Sequence, residues 1–229
     1  MAFVNPNKPA GLSPKGSLLG SNWDSKGHVY CIPSTDSTYN YFIGDLVQLG
    51  TGGSPACGGD SNGIPYITLA GAGTPAVGVI VAVGQSPALS LAPGAGPYIN
   101  VNNLSQIYAP ITKTANYYAL VIDDPFTIFE IQEGSSVATT NLTTSAVGLN
   151  ANIALGAQAT AATVTTYLSS TYLDNHTAPT TTSTLNLKIL RLTQRIDNHF
   201  VTSPATGGGY QKWDVMINNH QYRAGITAP

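Results

Sequence analysis

Apolar and polar positions along this chain fall into short runs, and the clearest pair of runs flanks Asp123, Asp124 and Pro125. Residues 117–122 are aromatic and β-branched and too few for an ordinary helix, while residues 126–133 roughly alternate apolar with polar. Runs of this length, bounded by turn residues, predict buried or half-buried strands. Pro125 lacks a backbone N–H and pushes Asp124 towards extended geometry, so Asp-Asp-Pro predicts a turn or bulge between the two strands.

The same pattern predicts strands at 28–32, at 41–49 with a kink at Gly44 and Asp45, at 64–69, at 77–83 and, weakly, at 107–111. The run 77–83 is almost uninterrupted Val, Ile and Ala, as expected for a strand covered on both faces. Residues 185–195 and 213–217 alternate and predict half-buried strands, the second closing the fold. Gly, Ser, Asp and Asn make 50–63 a surface loop, and 84–110 reads as an irregular excursion with one weak strand. In the Thr- and Ala-rich stretch 137–183, the recurrence of Ile153, Leu155, Val164, Tyr167, Leu168, Tyr172 and Leu173 predicts ordered strand and long loop, with one helical turn near 167–173. Residues 1–26 carry Pro6, Pro9, Pro14, Gly11, Gly16 and Gly20 and read as an extended arm that cannot form helix and has no partner strand of its own. As a terminus it is either disordered or a tether along a neighbouring subunit, with Phe3, Val4, Leu18, Leu19 and Trp23 as anchors. The expected fold is mainly β, a β-sandwich or jelly roll or a β-barrel-like domain over 27–229, with the arm at 1–26.

Composition narrows the function. Charged residues are only 9% of the 229, against a usual quarter, while apolar residues are 42%, which argues for a folded chain. A formal charge of −2 and scattered Lys and Arg argue against nucleic-acid binding, which needs clustered cations for phosphate contacts. The most apolar stretch is far shorter than the roughly 20 residues of a membrane-spanning helix. The start MAFVNPNKPAG shows no charged region followed by an apolar one, so the expectation is a protein made and folded in a cytoplasm. Cys31 and Cys57 lie far apart without His companions and read as two free, partly buried thiols, with a disulfide open in oxidising surroundings.

Candidate chemistry is sparse. Asp123 and Asp124 are the only adjacent carboxylates, but acid–base catalysis needs convergent groups rather than neighbours in sequence. Side-chain hydrogen bonds that shape a turn account for them better. His28, His176, His199 and His220 show no metal-ligand spacing and read as surface or loop residues. No GxGxxG or P-loop order occurs, and no base is evident for a Ser or Thr nucleophile. The expectation is a protein without enzymatic activity, cofactor or metal.

The succession YYALVIDDP–FTIFEIQE, then VGLN, then LNLKILRLTQRIDN and finally INNHQY resembles head decoration (cement) proteins of tailed bacteriophages. A looser likeness runs through IGDLVQL and GIPYITLAGAGTPAVGVIVAV. The resemblance implies a structural virion protein, made in the host cytoplasm, that binds the outer surface of a capsid. There it would brace neighbouring major capsid proteins, as a homotrimer that covers its own strand edges. Under that reading the interface is Phe3, Val4, Leu18, Leu19 and Trp23 of the arm together with Asn218, Asn219, His220 and Tyr222, the Asn-Asn-His stretch having the alternative of a hydrogen-bonded turn. The competing expectation is a tail, fibre or adhesin module binding a receptor or glycan through exposed aromatics.

Overall fold

The computed structural model describes residues 5–20, 27–50, 64–85, 106–134, 141–201 and 209–223. Phe3, Val4, Trp23, most of the predicted loop at 50–63 and most of the excursion at 84–110 lie outside them. The chain is mainly β. Its strands are β1 (Ser13–Ser17), β2 (His28–Ile32), β3 (Tyr41–Phe42), β4 (Leu46–Leu49), β5 (Ile67–Leu69), β6 (Gly78–Gln85) and β7 (Tyr108–Ala109). They continue with β8 (Tyr117–Ile122), β9 (Thr127–Gly134), β10 (Asn150–Ala151), β11 (Ile153–Ala154), β12 (Tyr172–Asp174), β13 (Leu187–Leu192) and β14 (Lys212–Ile217).

Five strands, in the order β2-β8-β6-β4-β5, form an antiparallel sheet that curls back on itself. Its edges meet at a parallel bridge between Cys31 and Tyr66, where the Cys31 N–H donates to the Pro65 carbonyl at 2.9 Å. The result is a nearly closed barrel, which hides most of its strand edges. Its interior is filled by Tyr30, Ile32, Val47, Ile67, Ile80, Val83 and Val121, as the aromatic and β-branched runs predict. The second sheet runs β10-β13-β14-β9-β12-β11, with β1 also on β9. A second core lies between the two sheets, where Leu46, Val79 and Ile122 of the barrel meet Phe129, Ile131, Ile189, Trp213 and Val215. Burying each such side chain contributes about 1.5–3 kcal/mol. β6 is therefore covered on both faces, as expected: Ile80 and Val83 face the barrel interior and Val79 the other sheet.

Four local expectations are corrected. First, residues 13–17 do have a partner strand. β1 pairs antiparallel with β9, Leu12 beside it is 1% exposed, and Pro14 sits at a register break of an edge strand, where a missing N–H is tolerated. The arm docks through a mutual close approach: a Cβ on Gly11 would lie 2.3 Å from the Gly44 carbonyl oxygen, which accepts the Leu12 N–H at 2.8 Å. Both glycines also have positive φ, +69° and +94°. Second, 41–49 is two strands, because the chain turns at Gly44: β3 pairs with β7 while β4 joins the barrel. Third, helical turns occur at Thr144–Ala146 and Ala157–Thr160, whereas 172–174 is extended because β12 pairs with both β9 and β11. Fourth, Cys31 is disulfide-bonded rather than a free thiol; the chain's other cysteine, Cys57, lies outside the described residues.

Candidate functional site

The barrel seam opens on one side of the Cys31–Tyr66 bridge. Extending that parallel ladder by one step would require a backbone N–H at residue 65 to donate to the Val29 carbonyl, and Pro65 has none. A cleft of about 800 Å³ lies there. One wall is the start of β2, the opposite wall is Ile64 and Pro65, and the β8–β9 turn (Asp123, Asp124, Pro125) and Tyr222 complete it.

A chain of hydrogen bonds runs along its floor. The Tyr30 hydroxyl donates to Asp123 Oδ2 at 2.7 Å, and His28 Nδ1 lies 2.8 Å from the same oxygen. Tyr30 has one hydroxyl proton and gives it to Asp123, so the Tyr222 hydroxyl, 3.0 Å away, donates to Tyr30. Burial first, and then these bonds to Tyr222 and Asp123, raise the Tyr30 hydroxyl well above its ordinary range, so it stays protonated. Asp123 is only 9% exposed, whereas the His28 ring projects into solvent with its side chain 80% exposed. Asp124 behaves as the sequence suggests: Oδ1 accepts the Phe126 N–H at 2.9 Å and its carbonyl accepts the Thr127 N–H at 3.1 Å, closing the turn. Asp123 does not, because its carboxylate points to β2 instead.

Next to the cleft wall, His220 is fully buried, which corrects its reading as a surface residue. Its backbone bridges Ala76, and its Nδ1 accepts the Tyr222 N–H at 3.1 Å, which places the ring proton on Nε2. Burial lowers its pKa to about 4, against the opposing pull of Asp123 and Asp124, so the ring is neutral at neutral pH. Among the described residues no Ser, Thr or Cys lines the cleft, and the hydroxyls beside the His28–Asp123 pair are those of Tyr30, which burial keeps protonated, and Tyr222. Among the described residues no group of three His, Cys, Asp or Glu is placed to hold a metal.

The remaining anticipated interface residues separate into two groups. Leu18 and Leu19 are exposed, at 50% and 72%, and the Leu18 N–H donates to the Phe126 carbonyl at 3.0 Å. Phe126, itself 42% exposed, extends this apolar ledge from Pro125 at the cleft mouth. The C-terminal group is mostly turned inward. Asn218 Nδ2 donates to the Ser183 and Leu185 carbonyls at 2.8 and 2.9 Å, and buried Asn219 donates to Thr184 at 3.1 Å. These bonds fasten the end of β14 to the loop before β13, so Asn219 and His220 have no surface to offer a partner. Tyr222 alone of the four is largely exposed, at 52%.

Sequence reading missed three buried carboxylates. Glu133 is 0% exposed and accepts from the Leu142 N–H, the Gln211 N–H and Nε2, and Trp213 Nε1. Asp45 accepts from the Phe42 N–H and the Ser169 and Thr171 hydroxyls. Asp214 accepts from Lys15 Nζ and Arg191 Nε, each at 2.8 Å, and from Thr193. Burial works against ionisation of Asp214, but the bonds from Lys15, Thr193 and Arg191 outweigh it and hold the carboxyl below its usual range. All three tie distant segments together. An aromatic cluster lies elsewhere, on the two-stranded sheet, where half-buried Tyr108 stacks on fully buried Phe42 at 5.4 Å and meets the exposed Tyr167 at 5.5 Å.

Comparison with protein-family models, with curated proteins and with solved structures gives no match.

Proposed function

We propose that this chain is a structural virion protein that binds the outer surface of a phage capsid and bridges neighbouring major capsid proteins, acting as a homotrimer without cofactor. The observation that carries this reading is the ledge of Leu18, Leu19 and Phe126. Three large apolar side chains stand exposed together on a docked arm and a tight turn, and such patches mark interaction surfaces. The buried carboxylates support it from the other side, since each is engaged within the fold rather than aimed at a substrate. The resemblance to head decoration proteins supplies the partner. Many copies on one lattice make weak individual contacts sufficient, because each oligomer engages several sites at once.

The test is solution mass followed by co-sedimentation with undecorated capsids, for the natural chain and for a Leu18→Ser, Leu19→Ser variant. A trimer that co-sediments saturably, with binding lost in the variant, supports the proposal. A monomer that ignores capsids overturns it.

One observation favours a second reading, a module that binds a receptor or glycan. Exposed Tyr167, backed by the half-buried Tyr108 at 5.5 Å, offers an aromatic face of the kind on which sugar rings stack. Binding to a glycan array that is abolished by Tyr167→Ala would support that reading.

A further inference from the structure

We propose that the open seam of the barrel is a strand-addition site: an extended segment of a partner protein pairs with the outer edge of β2 at Val29 and places a Lys or Arg beside Asp124. The edge follows from register. β2 pairs with β8 without a break, Val29 lying opposite Leu120 and Cys31 opposite Tyr118. In an antiparallel pair alternate residues direct both backbone groups away from the neighbour. The Cys31 N–H points away from β8, because it donates to Pro65, so the Val29 N–H and C=O point the same way. They open into the cleft, where Pro65 offers no donor, and no backbone partner meets them among the described residues.

An unpaired strand edge is a template for another extended chain. The walls fit one, because Ile64, Pro65 and Pro125 present apolar surface to the side chains of an added strand. Charge selects its character. Asp123 is engaged by His28, whereas among the described residues Asp124 has no cationic partner and neither Lys nor Arg lines the cleft. An aliphatic stem ending in a cation satisfies both the walls and Asp124. This site does not depend on the capsid reading, and a chain that ignores capsids can still bind such a peptide.

The experiment uses the full chain and a fluorescent acetyl-Thr-Val-Lys-Val-Thr-amide, with hydrogen exchange at the Val29 amide as the second readout. Saturable binding is expected, with slower Val29 exchange in the complex. Asp124→Asn keeps the turn acceptor and removes the charge, and it should weaken binding about threefold. Val29→Pro removes the outward donor and should weaken binding about tenfold. Asp124→Asn keeps the test informative if the proline variant fails to fold. Three results overturn the proposal: no saturable binding, binding that leaves Val29 exchange unchanged, or Val29 already protected in the free chain and released on deleting residues 224–229. The last would make the chain's own C-terminal segment the occupant.

Discussion

Replacing Asp45 by Asn should change how the stability of this fold depends on pH, and its surroundings give the size of the change. Asp45 is 1% exposed at the start of β4. Oδ2 accepts the Phe42 N–H at 2.8 Å, and Oδ1 accepts the Ser169 and Thr171 hydroxyls. These neutral donors lower the pKa, but burial outweighs them and pushes it from 3.8 up to about 6. The native state therefore holds a proton that the unfolded chain releases at lower pH. The resulting stability is fully present below pH 3.8 and is lost as pH rises through about 6. At 1.36 kcal/mol per tenfold, the loss is about 3 kcal/mol. Asn keeps an acceptor for Phe42, and the two hydroxyls can turn to accept from its Nδ2, so the variant lacks this dependence. Urea unfolding of both proteins from about pH 4 to pH 7 is the assay, read as variant minus wild type. His220 contributes the opposite slope, since its depressed pKa costs stability as pH falls from 6.5 towards 4, but it does so in both proteins and cancels in the difference. The difference should rise by about 3 kcal/mol in favour of the variant as pH increases. A flat difference refutes the assignment of a protonated Asp45 and with it the balance of burial over hydrogen bonding.

Two further outcomes follow from the buried groups. Glu133→Ala strands four N–H donors around a sealed cavity and should cost about 3 kcal/mol or more, with Glu133→Gln costing less; a midpoint unchanged in chemical denaturation contradicts it. The His220 ring should titrate near pH 4 by NMR, and a midpoint near 6.5 would mean that the ring is reached by water.

The strands on either side of Asp123-Asp124-Pro125 were legible because short apolar runs and a proline act locally, and β2 and β8 fall where the pattern puts them. β1 was not, because Ser13–Ser17 holds no apolar alternation: its strand identity comes from the vacant edge of β9 and from Lys15 reaching Asp214. β14 illustrates the same limit. Asp214 reads as the solvent face of an alternating strand, yet it is 1% exposed, because cations from β1 and β13 converge on it. The cleft was half visible. Asp124 shapes its turn through local hydrogen bonds, but the union of His28, Tyr30 and Asp123 depends on β2 lying beside β8, which no local signal announces. Pro65 was the one available sign of the open seam, since a proline cannot continue a ladder.

β9 receives strands from both ends of the chain: β1 on one edge and β14 on the other. The barrel strands all lie between His28 and Ile122 and form one contiguous stretch of sequence. On a ribosome, then, the barrel is complete as soon as β8 emerges, while the larger sheet waits for residues near the C-terminus. Until then β9 pairs at most with β1 and, at its end, with the short β12, and its other edge stays open to whatever chain is near. Synthesis order thus divides this molecule into a part that folds early and a part that closes last, when Trp213 arrives to seal the core between the sheets.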